Sequence, residues 1–183
     1  MDVYMFGLFN KGSLLPLVGI DFGSQTIKAV TLSGRPGKLH LESVADIATP
    51  KGTLVDYQLQ DIERVSQSLK TLKRLIPSHS DYAATAVTGS NVITKVIQID
   101  ARLSDKELEN QVQLEAEQII PFPLDEVSLD FEVLGTGNSE DRQDVLLSAA
   151  RTESVNGRVS ALAEAGIAVK VVDVGAHALG RAV

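Results

Sequence analysis

Val18-Gly19-Ile20-Asp21-Phe22-Gly23-Ser24-Gln25-Thr26-Ile27-Lys28 reads as an apolar strand, a tight glycine turn and a return strand. Gly23 has no side chain to hold an anion away, so consecutive amides around Gly23, Ser24 and Gln25 can point at phosphate oxygens as a small backbone nest. The Ser24 hydroxyl adds a donor. Lys28 is in phase with Val30 and Leu32, so its charge points toward a largely apolar side and needs an anion or a route to water. Asp21, at the carboxyl end of the first strand, can hold a water on a phosphate-bound magnesium ion. A bare Asp-x-Gly-Ser is better read as a plain β-hairpin whose Asp and Gly only make the turn. Here an apolar strand precedes it, a lysine follows the serine by four residues, and a telling order of elements comes after.

Working outward, apolar runs at 15–20, 27–32 and 39–47 have strand length and are separated by Asp21-Phe22-Gly23-Ser24 and Ser33-Gly34-Arg35-Pro36-Gly37, which predicts three successive antiparallel strands. Over 61–76, Ile62, Val65, Leu69, Leu72 and Ile76 return at helical spacing, with acids leading, Lys70, Lys73 and Arg74 closing, and Pro77 as the stop. A buried strand follows at 82–87. This β-β-β-α-β order suits the ribonuclease-H-like core, an α/β lobe built on a mixed sheet.

A second pattern occupies 89–166 and reads as an inserted α+β subdomain: strand 92–99, helix 104–120, strands 128–134 and 144–150, helix 152–165. Ser104-Asp105-Lys106-Glu107 predicts a capping box, with Leu108, Val112, Ala116 and Ile119 on the buried face and Glu107, Glu109, Glu115 and Glu117 on the wet one. Pro121-Phe122-Pro123 ends that helix as a stiff connection with Phe122 as a core plug. Thr152 and Gly166 are expected to bracket the second helix, with Val155, Val159 and Leu162 inward. Strand character returns at 167–173 and a helix begins at 176. The expected domains are thus a core of 13–88 plus 167–183 and an insertion of 89–166.

Composition narrows the functional classes. The 183 residues carry 24 acidic against 17 basic side chains, a net charge of −7, with the basic residues scattered, which disfavours nucleic acid as a partner. There is no cysteine, which excludes a disulfide scaffold or a thiolate zinc site and makes the cytoplasm the default compartment. Met5-Phe6-Gly7-Leu8-Phe9 is too short for a signal core or a membrane span, so membrane association is expected only through partners. His40, His79 and His177 fall in different elements and read as unrelated packing or surface groups. Gly135-Thr136-Gly137-Asn138-Ser139-Glu140-Asp141 lacks the Gly-Lys-Ser/Thr ending of a P-loop and reads as a hairpin loop.

The hairpin motif with the order that follows it resembles the first phosphate motif of the actin superfamily. Hsp70 and sugar kinases of that superfamily typically carry a threonine pair after the glycine, where this chain has Ser24-Gln25. The run Gln113-Leu114-Glu115-Ala116-Glu117-Gln118-Ile119-Ile120-Pro121-Phe122-Pro123-Leu124-Asp125-Glu126-Val127 with Leu129-Asp130-Phe131-Glu132-Val133-Leu134, Gln143-Asp144-Val145-Leu146-Leu147-Ser148-Ala149-Ala150-Arg151 and Val171-Val172-Asp173-Val174 closely resembles the PilM family of pilus assembly proteins, over nearly the whole chain. The insertion is also similar to that of cell-division FtsA, which lacks the Ile-Pro-Phe-Pro run.

That resemblance implies an actin-like core lobe with an FtsA-type insertion. It implies a nucleotide site using Asp21, Gly23, Ser24, Gln25 and Lys28 for ATP, with Asp21 on magnesium through water. It also implies a cytoplasmic scaffold at the inner membrane that docks the cytoplasmic tail of PilN, with other pilus platform proteins and motor ATPases as further partners. The actin-type second phosphate loop and the adenosine-binding segment are missing from these residues: Val172-Asp173-Val174-Gly175 matches the connection leaving the first lobe, with Asp173 as a turn or helix-start residue. Weak or absent ATP binding by this chain is therefore expected. Two other readings stand beside the scaffold: a kinase or active ATPase of the same fold, for which no residue here qualifies as the catalytic group, and a secretion-platform relative without nucleotide, against which the intact motif speaks.

Overall fold

A computed structural model describes residues 4–5, 17–35, 37–77, 79–90, 92–137, 139 and 141–183. The elements run β1 (Tyr4–Met5), β2 (Leu17–Phe22), β3 (Thr26–Arg35), β4 (Lys38–Ala48), β5 (Leu54–Val55), β6 (Gln58–Leu59), α1 (Ile62–Lys73), β7 (Tyr82–Val87), β8 (Val92–Asp100), α2 (Asp105–Ile119), β9 (Val127–Thr136), β10 (Arg142–Arg151), α3 (Thr152–Glu164), β11 (Ala168–Val174) and α4 (Gly175–Ala182). The chain divides into two compact units, Met1–Gly89 with Ser154–Val183, and Ser90–Glu153.

The first unit holds a six-stranded sheet in the order β1-β11-β7-β2-β3-β4. β2, β3 and β4 are antiparallel neighbours, while β1, β11, β7 and β2 run parallel. This is the ribonuclease-H-like arrangement that the β-β-β-α-β order predicts. One face packs because its residues alternate: Val18, Ile20 and Phe22 of β2 and Ile27 and Ala29 of β3 are buried, as are Val65, Leu69 and Leu72 of α1. Each buried Val, Ile, Leu or Phe among them contributes about 1.5–3 kcal/mol, and Ala29 less. Asp61 caps α1 by accepting from the Arg64 amide at 3.0 Å, and the last turn tightens into Arg74 and Leu75 before Pro77. β1 was not foreseen; its partner β11 lies more than 160 residues away, so no local pattern announces it. Of the N-terminal apolar run, 6–9 lie outside the described residues, as do 15 and 16 of the first predicted strand and Pro36 of its second turn.

The second unit is a three-stranded antiparallel sheet, β8-β10-β9, with α2 on one face. Its core joins Ile97, Ile99, Leu108, Val112, Ala116, Ile120, Val127, Val145, Leu147 and Ala149. Ile120 rather than Ile119 is the more deeply buried of the pair. The Glu107 carboxylate accepts from the Ser104 amide at 2.9 Å and its hydroxyl at 2.6 Å, which lowers the Glu107 pKa and closes the start of α2. Phe122 packs against this core with the Arg151 guanidinium 4.8 Å above its ring, so the Pro-Phe-Pro connection serves as the expected plug.

Two expectations are corrected. The insertion ends at Glu153 rather than at 166: β10 runs without a loop into α3, and from Ser154 on that helix belongs to the sheet unit through Val155, Ala161 and Leu162. Asp173 is a strand residue of β11, not a turn or helix-start residue; its carboxylate accepts from the Val174 amide at 2.7 Å and pairs with Arg181 of α4. Gly166 closes α3 as predicted, with φ +76° and its amide on Ala163.

Candidate functional site

The bend between β2 and β3 is three residues long, Gly23 to Gln25. The Gly23 amide donates to the Thr26 carbonyl at 3.1 Å, and a Cβ on Gly23 would stand 2.7 Å from that same oxygen, so only glycine fits. Thr49 braces the bend from β4's end: its hydroxyl donates to the Gly23 carbonyl at 2.6 Å and its amide to Gln25 at 2.9 Å. The Gly23 amide is thus spent within the hairpin. The amides of Ser24 and Gln25, both exposed residues, make no such turn bond among the described residues and are the donors left to face an anion.

The strand register brings the charged residues together. Lys28 stands directly opposite Asp21 on β2 and opposite Asp46 on β4, giving an exposed Asp–Lys–Asp row beside the bend. Asp46 was not singled out from the sequence, because its partnership with Lys28 is created by cross-strand register over 18 positions. Lys28 shares its side of the sheet with Val30 and Leu32, as its phase predicts, but these are 36% and 47% exposed: that side is open, and the ammonium reaches water.

On the buried side of the bend lies a second cation. Arg158 of α3 is 2% exposed, and its guanidinium carbon sits 5.8 Å from the centre of the Phe22 ring. Nη1 donates to the Ser154 carbonyl and Nη2 to the Tyr57 carbonyl, both at 2.8 Å, while Nε has no partner among the described residues. Burial pulls its pKa down to about 10, and the negative charge of Asp21 opposes that fall. A lone arginine in an amphipathic helix gives no sequence signal of this kind.

The residues suit a phosphate better than a metal of their own. No group of three His, Cys, Asp or Glu among the described residues could hold a metal ion, so magnesium at Asp21 would be carried mainly by a bound polyphosphate. His79 pairs with Glu42 at 3.2 Å, away from any such cluster. Of the predicted loop 135–141, Gly135 and Thr136 are the end of β9, and the Gly137 amide donates to the Arg142 carbonyl at 2.8 Å; Asn138 and Glu140 lie outside the described residues.

The family model for type IV pilus assembly protein PilM matches residues 19–183. The chain belongs to the PilM family. A chain of a PilM–PilN type IV pilus biogenesis complex is 35% identical, with a TM-score of 0.79 over 89% of this chain and 48% of its own length. The chain therefore spans about half the length of that PilM relative. The cytoplasmic domain of EpsL, an inner-membrane component of the type II secretion system of Vibrio cholerae, is 15% identical with a TM-score of 0.54, covering 86% of this chain and 56% of that one. That second likeness is one of fold. Together with the strand order, these place the PilM-family chain in the actin-like fold, with the Ile-Pro-Phe-Pro run on the second unit's core. No helix among the described residues is long and apolar enough to cross a membrane, which says nothing of a β-barrel.

Proposed function

We propose that this chain is part of a cytoplasmic actin-like ATP-binding scaffold of the type IV pilus inner-membrane platform, one that docks the N-terminal tail of a PilN-type protein. The observation that carries the nucleotide half is the bend itself: a glycine admitting no Cβ, two exposed amides, and Lys28 set across from Asp21. Ser24 and Gln25 would donate to phosphate oxygens, Lys28 would balance their charge, and Asp21 would hold water on magnesium. The partner half rests on family membership and on the likeness to a chain from a PilM–PilN complex. Other platform proteins and pilus motor ATPases extend the same reading, as does a role in twitching motility and adhesion.

The test titrates a synthetic PilN-type N-terminal peptide into the full-length protein with and without magnesium-ATP, beside Lys28→Ala. The scaffold reading expects peptide binding whose strength depends on ATP, little turnover, and loss of the ATP dependence in the variant. Rapid phosphate release indifferent to peptide would replace the scaffold by an ATPase.

A further inference from the structure

The β5–β6 turn combines two unfavourable features. Val55 pairs with Gln58, which leaves Asp56 and Tyr57 as a two-residue hairpin loop at φ 48° and 64°. Both positions of such a loop require a left-handed backbone. Asp56 suits the first, but Tyr57 stands at the second, where glycine is the rule and a bulky side chain is strained. The strained residue is then pinned from within. Arg158, 2% exposed, donates from Nη2 to the Tyr57 carbonyl at 2.8 Å; its other partner is the Ser154 carbonyl, and its Nε has none among the described residues. A buried cation held by carbonyls is itself destabilising. Gly89 completes the seat: the Tyr57 ring lies so close that a Cβ there would stand 2.6 Å from Cδ2.

Burial is not what this arrangement achieves. Tyr57 remains 56% exposed, so the turn holds an aromatic ring fixed in solvent, flanked by the exposed Val55 and Asp56. Glycine at 57 would form the same turn without strain, so folding alone gives no reason for a tyrosine. Fixed, exposed aromatic rings are strong binding groups, because little side-chain freedom remains to be lost when a partner covers them. Charge indicates which partner: Asp56 adjoins the ring and the chain carries a net charge of −7, whereas cytoplasmic segments next to a membrane-spanning helix are enriched in Lys and Arg.

We propose that Tyr57, presented by the pinned β5–β6 turn, is an aromatic anchor for a basic juxtamembrane peptide, with Asp56 facing the peptide's cations. This rests on the scaffold reading above and gives its tail-docking half a residue.

The test is calorimetry on the full-length protein with the synthetic PilN-type N-terminal peptide, beside thermal unfolding of each variant. Tyr57→Gly is expected to weaken peptide binding by about thirtyfold or more while Tm stays equal to or above that of the parent. Tyr57→Phe keeps the ring and should bind within about threefold of the parent. Asp56→Asn should flatten the salt dependence of binding. Tyr57→Asn, which tolerates the left-handed region, is the second variant should Tyr57→Gly loosen the turn, and it must lose binding alike. Full peptide affinity in a folded Tyr57→Gly or Tyr57→Asn overturns the proposal, as does an equal loss in Tyr57→Phe. Loss of self-association in sedimentation, with peptide affinity kept, assigns the anchor to a second copy and overturns the basic-peptide reading. A peptide that fails to bind the parent protein overturns the docking reading and the anchor with it; parent binding that survives loss of the ring overturns the anchor alone.

Discussion

At Gly23 the backbone leaves no room for a methyl group. Gly23→Ala is expected to cost about 1–3 kcal/mol, because the Thr26 carbonyl oxygen that would meet the new Cβ is main chain and must shift with its strand. Thermal unfolding measures the loss; a variant as stable as the parent would mean that the bend relaxes freely. The same displacement would disturb the Thr49 brace on the Gly23 and Gln25 carbonyls, so any phosphate response of the bend should weaken with it. Asp21 and Lys28 differ from Gly23 in kind: they are exposed and should cost little stability to replace.

At the scale of elements, α1 and β9 make opposite contributions. Leu69 of α1 is fully buried against the sheet, and Leu69→Ala should destabilise the first unit by about 2–5 kcal/mol in urea unfolding. In β9, Asp130 is half-buried; burial, with a smaller push from Glu132, raises its pKa to about 6 despite the Phe131 amide that donates to it at 2.9 Å. The folded state therefore binds this proton more tightly than the unfolded chain does. Its contribution is fully present below about pH 4, falls as pH rises, and is lost above about pH 6. Asp130→Asn should accordingly raise stability at pH 7.5 by about 1 kcal/mol, after allowing for solvent screening, and flatten the profile between pH 4 and 7. An Asn variant no more stable than the parent at pH 7.5 would show that the carboxylate is better solvated than its burial implies.

At the scale of the molecule, nucleotide affinity depends on enclosure, and the chain corresponds to about half the length of its PilM relative. These 183 residues place one bend, one lysine and two flanking acids at the candidate site, with an open sheet face beside them. Calorimetry on this chain should find weak or absent magnesium-ATP binding; tight binding would mean that enclosure comes from within these residues. Arg158 belongs to this scale too, since its guanidinium lies over the Phe22 ring of β2 and donates to the Tyr57 carbonyl of the β5–β6 turn and the Ser154 carbonyl of α3.

Periodicity alone was enough for most elements, because burying one face of a strand or helix writes a repeat of two or 3.6 residues into the chain. The hairpin around Gly23, α1 with Val65, Leu69 and Leu72 inward, and α2 with its Ser104–Glu107 closure were all legible for that reason. Local chemistry likewise marked Gly23, Ser24 and Lys28. What the tertiary structure alone decided are relations between distant residues: Asp46 beside Lys28, β1 beside β11, the end of the insertion at Glu153, and Arg158 beneath the bend. Cross-strand register and the burial of a charge depend on which segments meet, and a linear pattern encodes the face a residue presents but not the partner it finds there.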